Sequence, residues 1–392
     1  LLNKLGKIVT TSIYNSPSDN LTVVPVSSRR ELKAFIQVPW HIYSDDPQWI
    51  PPLLLERRLH FSSFNPYFKQ AKWQAWIAFR GNHPVGRISA QIDQKHRNLH
   101  GKQSGQFGLI ESVNDPEVFA ALFNACEIWL KGQNSINISG PFNFSINQEC
   151  GVLVSGFETP PVILMPHARE WYGPMIEENG YVPAMDLLAY WINLDFKASR
   201  VMSSIVNRYK KRIHLRCLRR KKFKEELEIL RNIFNDAWST NWGYLPFSKE
   251  EFAELGNSLR FFIPDNFIQI AELNGEAVAF IVVLPNINEV LRALDGKLFP
   301  LGWLKLLKAV KNKDIRTGRV PLMGVRKKYQ NSPIGMALSF MVCSAARDHA
   351  AKNGIEGVEM SWILENNKGM RNILDNVGSP EYKRYRIYEK KI

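Results

Sequence analysis

The densest chemical signal in the sequence is a basic, glycine-containing turn. Arg326-Lys327-Lys328-Tyr329-Gln330-Asn331-Ser332-Pro333-Ile334-Gly335 follows an apolar β-like run at 320–325 and leads into a long helical pattern. A strand, a turn and a helix start in that order aim several main-chain N–H groups at one spot. Unpaired N–H donors and the helix dipole both favour an anion there, and lysine and arginine add charge-assisted contacts. Phosphate is the ligand chemistry this stretch suggests, although a single glycine at such a junction is a weak motif on its own. Metal chemistry has less support. His96 and His100 have the i, i+4 spacing of a helical metal pair, but no third ligand accompanies them, and the segment reads as a polar loop between strands. Cys126, Cys150, Cys217 and Cys343 are scattered without a C-x-x-C pair, which argues against a disulfide framework or a cysteine zinc site and fits a reducing cytoplasm.

The elements that must position this chemistry repeat. In the first half, a β-like run at 21–26 precedes a capping box, Ser28 with Glu31, that opens a helix. Runs at 73–79 and 85–92 form a hairpin across Arg80-Gly81-Asn82, and a strand follows at 105–111. Asp115-Pro116 starts a helix closing at Lys131-Gly132, then come a short strand at 136–139, a helix at 168–180 and a strand at 187–192. The second half runs through the same order: strand 213–218, helix 224–238, a hairpin across Asn274-Gly275, strand 320–325, helix 335–353, strand 358–364, helix 368–376 and strand 382–389. Two tandem α/β (α+β) domains are expected, each a mixed twisted sheet flanked by helices. They would span 21–195 and 196–392, with residues 1–20 as an extension of no assigned structure.

At 392 residues, 45% hydrophobic and 22% charged, the chain has the bulk of a globular protein rather than a disordered one. Its formal charge of +14 predicts a polyanionic partner: nucleic acid, an anionic membrane face, a phosphorylated cofactor or an acidic carrier protein. The cations are densest at 208–224, yet no recognition helix, zinc finger or stacking motif accompanies them, so nucleic acid is the weakest of these choices. The stretch 298–313 is basic and amphipathic. Leu298, Leu301, Leu304 and Leu307 can share one face with Phe299 and Trp303 beside them, and Lys305, Lys308, Lys311 and Lys313 ring the other side. Such a helix either lies in a membrane interface or packs on its own domain. No apolar run approaches the ~20 residues that a membrane span needs. The protein is therefore expected in the cytoplasm, with a peripheral position on the inner membrane face as the variant this helix suggests.

Gln330-x-x-Pro333-x-Gly335 resembles the acyl-CoA motif Q/R-x-x-G-x-G/A of the GNAT superfamily, and the helix, strand and helix after it keep the order of that fold. The stretches Asp46-Pro47-Gln48-Trp49-Ile50-Pro51-Pro52, Gly140-Pro141-Phe142-Asn143, Asn241-Trp242-Gly243-Tyr244 and Ser361-Trp362-Ile363-Leu364-Glu365-Asn366-Asn367 extend the likeness. They resemble a bacterial family of tandem GNAT proteins that includes the bacterial ceramide synthases. The resemblance implies an N-acyltransferase that takes its acyl group from acyl-CoA or an acylated acyl carrier protein, without a metal, and gives it to an amine, a long-chain sphingoid amine being the narrower inference. Val325, Arg326, Lys328, Gln330, Asn331, Ser332, Ile334, Gly335, Met336 and Asn367 would hold the donor. Glu359, or Glu365 as second choice, would serve as base, and Tyr385 or Tyr388 as the acid for the leaving thiolate. Asn241, Trp242, Tyr244, Asn143, Asn147 and Trp362 would face the acceptor. Pro333 replaces a motif glycine and removes one N–H donor, which implies a weaker diphosphate grip or a donor presented on a carrier protein. The first half has Glu111-Ser112-Val113-Asn114-Asp115 where a basic turn would stand, so it is expected to form a scaffold or acceptor-side wall rather than a second donor site. Two other functions fit parts of the sequence: a regulator that binds DNA through its basic surface, and a GNAT-shaped protein that binds a thioester without turning it over.

Overall fold

The computed structural model describes residues 20–195, 200–376 and 378–392. The expected extension lies almost wholly outside them, as does the segment 196–199 at the expected domain junction. The first series of elements is β1 (Leu21–Pro25), α1 (Arg29–Ile42), α2 (Leu54–His60), β2 (Ala71–Arg80), β3 (His83–Asp93), α3 (Gln94–His100), β4 (Ser104–Ser112), α4 (Pro116–Gly132), β5 (Asn137–Gly140), β6 (Val152–Ser155), α5 (Tyr172–Glu178) and β7 (Val182–Asn193). The second is α6 (Arg200–Tyr209), β8 (Ile213–Cys217), α7 (Phe223–Ala237), α8 (Lys249–Leu259), β9 (Ile268–Leu273), β10 (Glu276–Pro285), α9 (Asn288–Leu291), α10 (Gly302–Asn312), β11 (Thr317–Val325), α11 (Pro333–Lys352), β12 (Gly357–Leu364), α12 (Lys368–Asn376) and β13 (Glu381–Lys391).

Local chemistry sets many of these boundaries. Ser28 and Glu31 close a reciprocal capping box on α1, and Asp115 caps α4 with Pro116 at its first position. Asn274 and Gly275 both take positive φ, 52° and 81°, as the tight turn between β9 and β10 requires. In α11, Leu338, Val342, Ala346 and Ala350 fall at i, i+4 spacing, so one narrow stripe is buried against β9 and β10. The expected polar loop at His96 and His100 is instead the short helix α3. Asp93 caps it by accepting from the Lys95 N–H at 2.8 Å, and Gly101, at φ 121°, ends it. The expected helix at 168–180 shortens to α5, and β6, α2, α6 and α8 add elements that periodicity did not separate.

Among the described residues the strands form one sheet in the order β1-β2-β3-β4-β5-β13-β7-β12-β11-β10-β9-β8, with β6 also paired to β13. The two series therefore exchange their last strands. β13 runs antiparallel beside β5, with Tyr388 opposite Gly140, while β7 runs antiparallel beside β12, with Tyr190 opposite Met360. Two hydrophobic cores result, one under each arm of the sheet. The mixed α/β fold expected from the repeated element order is what the chain adopts.

Candidate active site

β11 and β12 are the parallel pair of the second series, and they stay paired only from Thr317↔Gly357 to Val320↔Met360. Beyond that point β11 follows β10 and β12 follows β7, so the two strands diverge into a wedge. The basic turn and α11 follow the outer end of β11. Asn331 takes φ 55°, and Ser332 caps α11 by accepting from the Gly335 N–H at 3.2 Å. Gly335 is required by the turn itself, because a Cβ there would lie 2.0 Å from the Tyr329 carbonyl oxygen. Pro333 occupies the first helical position, where an N–H would have no intrahelical partner in any case. The main-chain N–H groups of Asn331, Ser332 and Ile334 have no hydrogen-bond partner among the described residues.

Several residues expected to touch the donor instead build the turn. Gln330 Nε2 donates to the Ala237 and Val325 carbonyls, both at 2.9 Å. Lys328 Nζ lies 2.8 Å and Arg326 Nε 3.3 Å from the Glu276 carboxylate, which neutralises part of the positive charge. Asn367 caps the start of α12 by accepting from the Met370 N–H at 3.1 Å. Val325 is buried, and Met336 is exposed on the first turn of α11.

A buried polar cluster sits at the base of the wedge. Glu359 is enclosed, and its two oxygens accept from the Ser361 and Tyr382 hydroxyls. Arg319 donates to Ser361 Oγ at 2.8 Å and to the Ile163 and Leu164 carbonyls at 3.1 and 3.0 Å, with its guanidinium 4.9 Å from the Trp362 ring centroid. Tyr385 is fully buried beside this cluster and its hydroxyl has no partner among the described residues. Burial, then the Glu359 charge, push its pKa well above 10, so it keeps its proton at neutral pH. The other two acid–base candidates are held elsewhere. Tyr388 donates to Glu177 at 3.1 Å and packs against α5, while Glu365 accepts from the Asp186 N–H at 3.1 Å as a clip between β12 and β7.

A cavity of about 770 Å³ lies between the two arms and reaches the wedge at Pro321, Leu322, Trp362 and Leu364. Its walls are mostly apolar, with Leu59 and Met165 from the first series and Leu227, Phe252 and Leu259 from the second. Asn143, Asn147, Asn241, Trp242, Tyr244 and Trp362 all line this one space, so the residues expected at the acceptor are brought together. Asn143 also accepts from the Leu109 N–H at 2.9 Å and donates to Glu149 at 3.2 Å. Burial pushes the Glu149 pKa up, but the Arg57 charge and the Asn143 hydrogen bond outweigh it and hold the carboxylate below its ordinary range. In the first series the corresponding strands, β4 and β5, also separate after Gln106↔Ser139. Their gap is filled by the chain itself, for a Cβ at Gly108 would lie 1.9 Å from the Phe142 oxygen. Glu111 accepts from the Tyr43 and Tyr172 hydroxyls at 2.6 and 2.8 Å, and Asp115 pairs with Arg80 at 2.7 Å.

One pair, of which His167 lines the cavity, escaped sequence reasoning. His167 Nε2 lies 2.9 Å from Asp46 Oδ2, the ring is 4% exposed, and Nδ1 has no partner among the described residues. Burial lowers the imidazole pKa below the ordinary 6.5, ahead of the opposing pull of Asp46. The pair is separated by 121 positions, so no local spacing reveals it, although Asp46 begins one of the stretches that carry the family resemblance. Arg319 was missed for a different reason, being a cation at the buried start of a strand whose apolar run masks it.

No family model matches the chain. It is 43% identical to bacterial ceramide synthase of Caulobacter vibrioides over 386 residues, covering 96% of this chain and 99% of that protein. The chain belongs to the family of bacterial ceramide synthase. Within it, Protein YghO of Escherichia coli (strain K12) is 50% identical over 366 residues, covering 93% of this chain and 94% of that protein. The fold agrees with solved relatives of low identity. A tandem GNAT protein from the clavulanic acid biosynthesis pathway matches at TM-score 0.54 and 11% identity, over 95% of this chain and 98% of that one. A GCN5-related N-acetyltransferase from Sphaerobacter thermophilus matches at TM-score 0.50 and 12% identity, over 94% and 95%. Among the described residues of this family member, no cluster of three or more metal-ligating side chains occurs, and no helix is long and apolar enough to cross a membrane.

Proposed function

We propose that the protein is an N-acyltransferase that moves an acyl chain from a thioester, acyl-CoA or an acylated carrier protein, onto a long-chain amine. The observation that carries this reading is the apolar cavity of about 770 Å³ joined to the open wedge between β11 and β12. A donor whose phosphate rests at the N–H groups of Asn331, Ser332 and Ile334 would run its acyl arm into the wedge. An amine lying in the cavity would meet the thioester where the two spaces join. Its apolar chain would find Leu227, Phe252 and Leu259, while Asn143, Asn241 and Tyr244 orient the polar head. When the carbon–sulfur bond breaks, the leaving thiolate needs a proton, and the unpartnered Tyr385 hydroxyl is the candidate to give it. Glu359 has both oxygens engaged, so its part is to bias the charge at the base of the wedge.

The helix α10 supports a membrane as the place where such an amine is found. It buries Gly302, Leu306 and Ala309 and leaves Leu301, Trp303, Leu304 and Leu307 exposed, with Lys305 and Lys308 between them. Leu298, just before it, lines the cavity. An anionic bilayer satisfies both the apolar face and the lysines. The basic run at 208–224 is a weaker guide, because Arg216, Arg219, Arg220 and Lys222 are already ion-paired to acids of the same arm.

The test is thioester consumption by purified protein with palmitoyl-CoA, or the palmitoylated carrier protein, and sphinganine. Thiol release that depends on the amine, with an N-acyl product of matching mass, is expected. Absence of thiol release with every long-chain amine and both donors overturns the reading.

A further inference from the structure

Between β6 and α5 the chain passes the base of the wedge. The Ile163 and Leu164 carbonyls accept from Arg319, and the Met165 sulfur lies 3.4 Å from the Ser361 hydroxyl oxygen. Two residues on, His167 lines the cavity. We propose that His167 Nδ1 is the base that takes the proton from the acceptor ammonium, with Asp46 fixing its tautomer. The proposal rests on reading the cavity as the amine site.

The geometry leaves one nitrogen for this work. Asp46 is itself held, accepting from the Gln48 N–H at 2.9 Å and lying 3.5 Å from Arg169. Its carboxylate therefore keeps the imidazole hydrogen on Nε2, and Nδ1 carries a lone pair. A buried acceptor with no partner among the described residues is unfavourable, and because His167 is one of the residues lining the cavity, a ligand there is the candidate to supply the missing hydrogen. The neighbouring carboxylates are already engaged at both oxygens: Glu149 by Arg57 and Asn143, and Glu111 by Tyr43 and Tyr172 on one oxygen and by the Arg87 guanidinium, 3.6 Å away, on the other. His60 also lines the cavity, but burial and the Arg57 charge lower its pKa to about 3, too weak a base for an ammonium. Asp46, Arg169, Lys383 and Tyr43 are the ionisable groups that face His167, and burial keeps the ring neutral near pH 7.

An N–H bond of the ammonium breaks and its proton passes to Nδ1, and the freed lone pair attacks the thioester carbonyl. The carbon–nitrogen bond forms, the carbon–sulfur bond breaks, and the amine nitrogen sheds a second proton. Of the two protons lost, one ends on the departing thiolate and the other in solvent.

His167→Gln keeps a donor toward Asp46 but has no titrating nitrogen. Its turnover is expected to fall about a hundredfold or more, with the KM for the thioester and the melting temperature unchanged. His167→Ala is expected to regain turnover when imidazole is added, which a merely structural histidine would not permit. Wild-type turnover in a folded His167→Gln protein, or a folded His167→Ala protein that imidazole does not rescue, overturns the proposal. A second readout needs no turnover and separates failure here from failure of the broader reading. Nitrogen NMR of the wild type, with His167→Gln to assign the signal, should show Nδ1 without hydrogen and perturbed by dodecylamine. Nδ1 found protonated, or indifferent to the amine, would also rule the dyad out.

Discussion

His60 has no room to be charged. It stacks on Phe144 at 4.5 Å between ring centroids, and burial followed by the Arg57 charge lowers its pKa to about 3. An unfolded chain binds a proton at this residue below about pH 6.5, whereas the folded one does not until about pH 3. Stability is thus present above 6.5 and falls as pH drops through that window, by at most about 1.4 kcal/mol per pH unit. His60→Phe keeps the stack and removes the titration, so its urea midpoint should vary less with pH between 6.5 and 3. Equal slopes in the two proteins would contradict this account. His167 is also lowered, and its acidic limb in the kcat profile is expected below pH 6.5 and absent from His167→Gln. What was readable at this scale is what chemistry writes locally. Ser332 and Gly335 lie three positions apart, the Ser332 hydroxyl accepting from the Gly335 N–H, so the turn was legible, while His167 and Asp46 meet only after the chain has folded.

At the scale of elements, the wedge exists because β12 leaves β11 to follow β7, and the turn after β11 is held from within. Gly335→Ala places a Cβ against the Tyr329 carbonyl. We expect it to destabilise the protein by about 1–3 kcal/mol and to raise the KM for the thioester, measured by thermal melting and steady-state kinetics. An unchanged melting temperature would mean that the turn can open without cost. Hairpins and long helices were visible in the sequence because alternation and i, i+4 stripes are local patterns, as Leu338, Val342 and Ala346 illustrate. The exchanged pairing was not visible. Nothing in Tyr388 announces Gly140 as its neighbour, because β-partners far apart in sequence leave no periodic trace.

For the molecule as a whole, the exposed side of α10 predicts a location. Sedimentation with vesicles of mixed phosphatidylcholine and phosphatidylglycerol should carry the protein down, and pure phosphatidylcholine should carry less. Leu304→Glu with Leu307→Glu should abolish the difference while leaving the fold intact by circular dichroism; undiminished binding by that variant would exclude α10 as the contact. The exchange of β7 and β13 makes a second prediction. Fragments 20–195 and 200–392 produced separately should each lack a strand that the sheet needs, and should recover native-like signal only when combined.

The same exchange bears on how the protein is born. The exposed edge of β5 must wait for β13, which the ribosome makes after every other described strand, so the first arm emerges, collapses and idles with an unzipped seam while the second arm is synthesised. That seam is where a chaperone, or a misplaced strand from a neighbouring nascent chain, would find its grip.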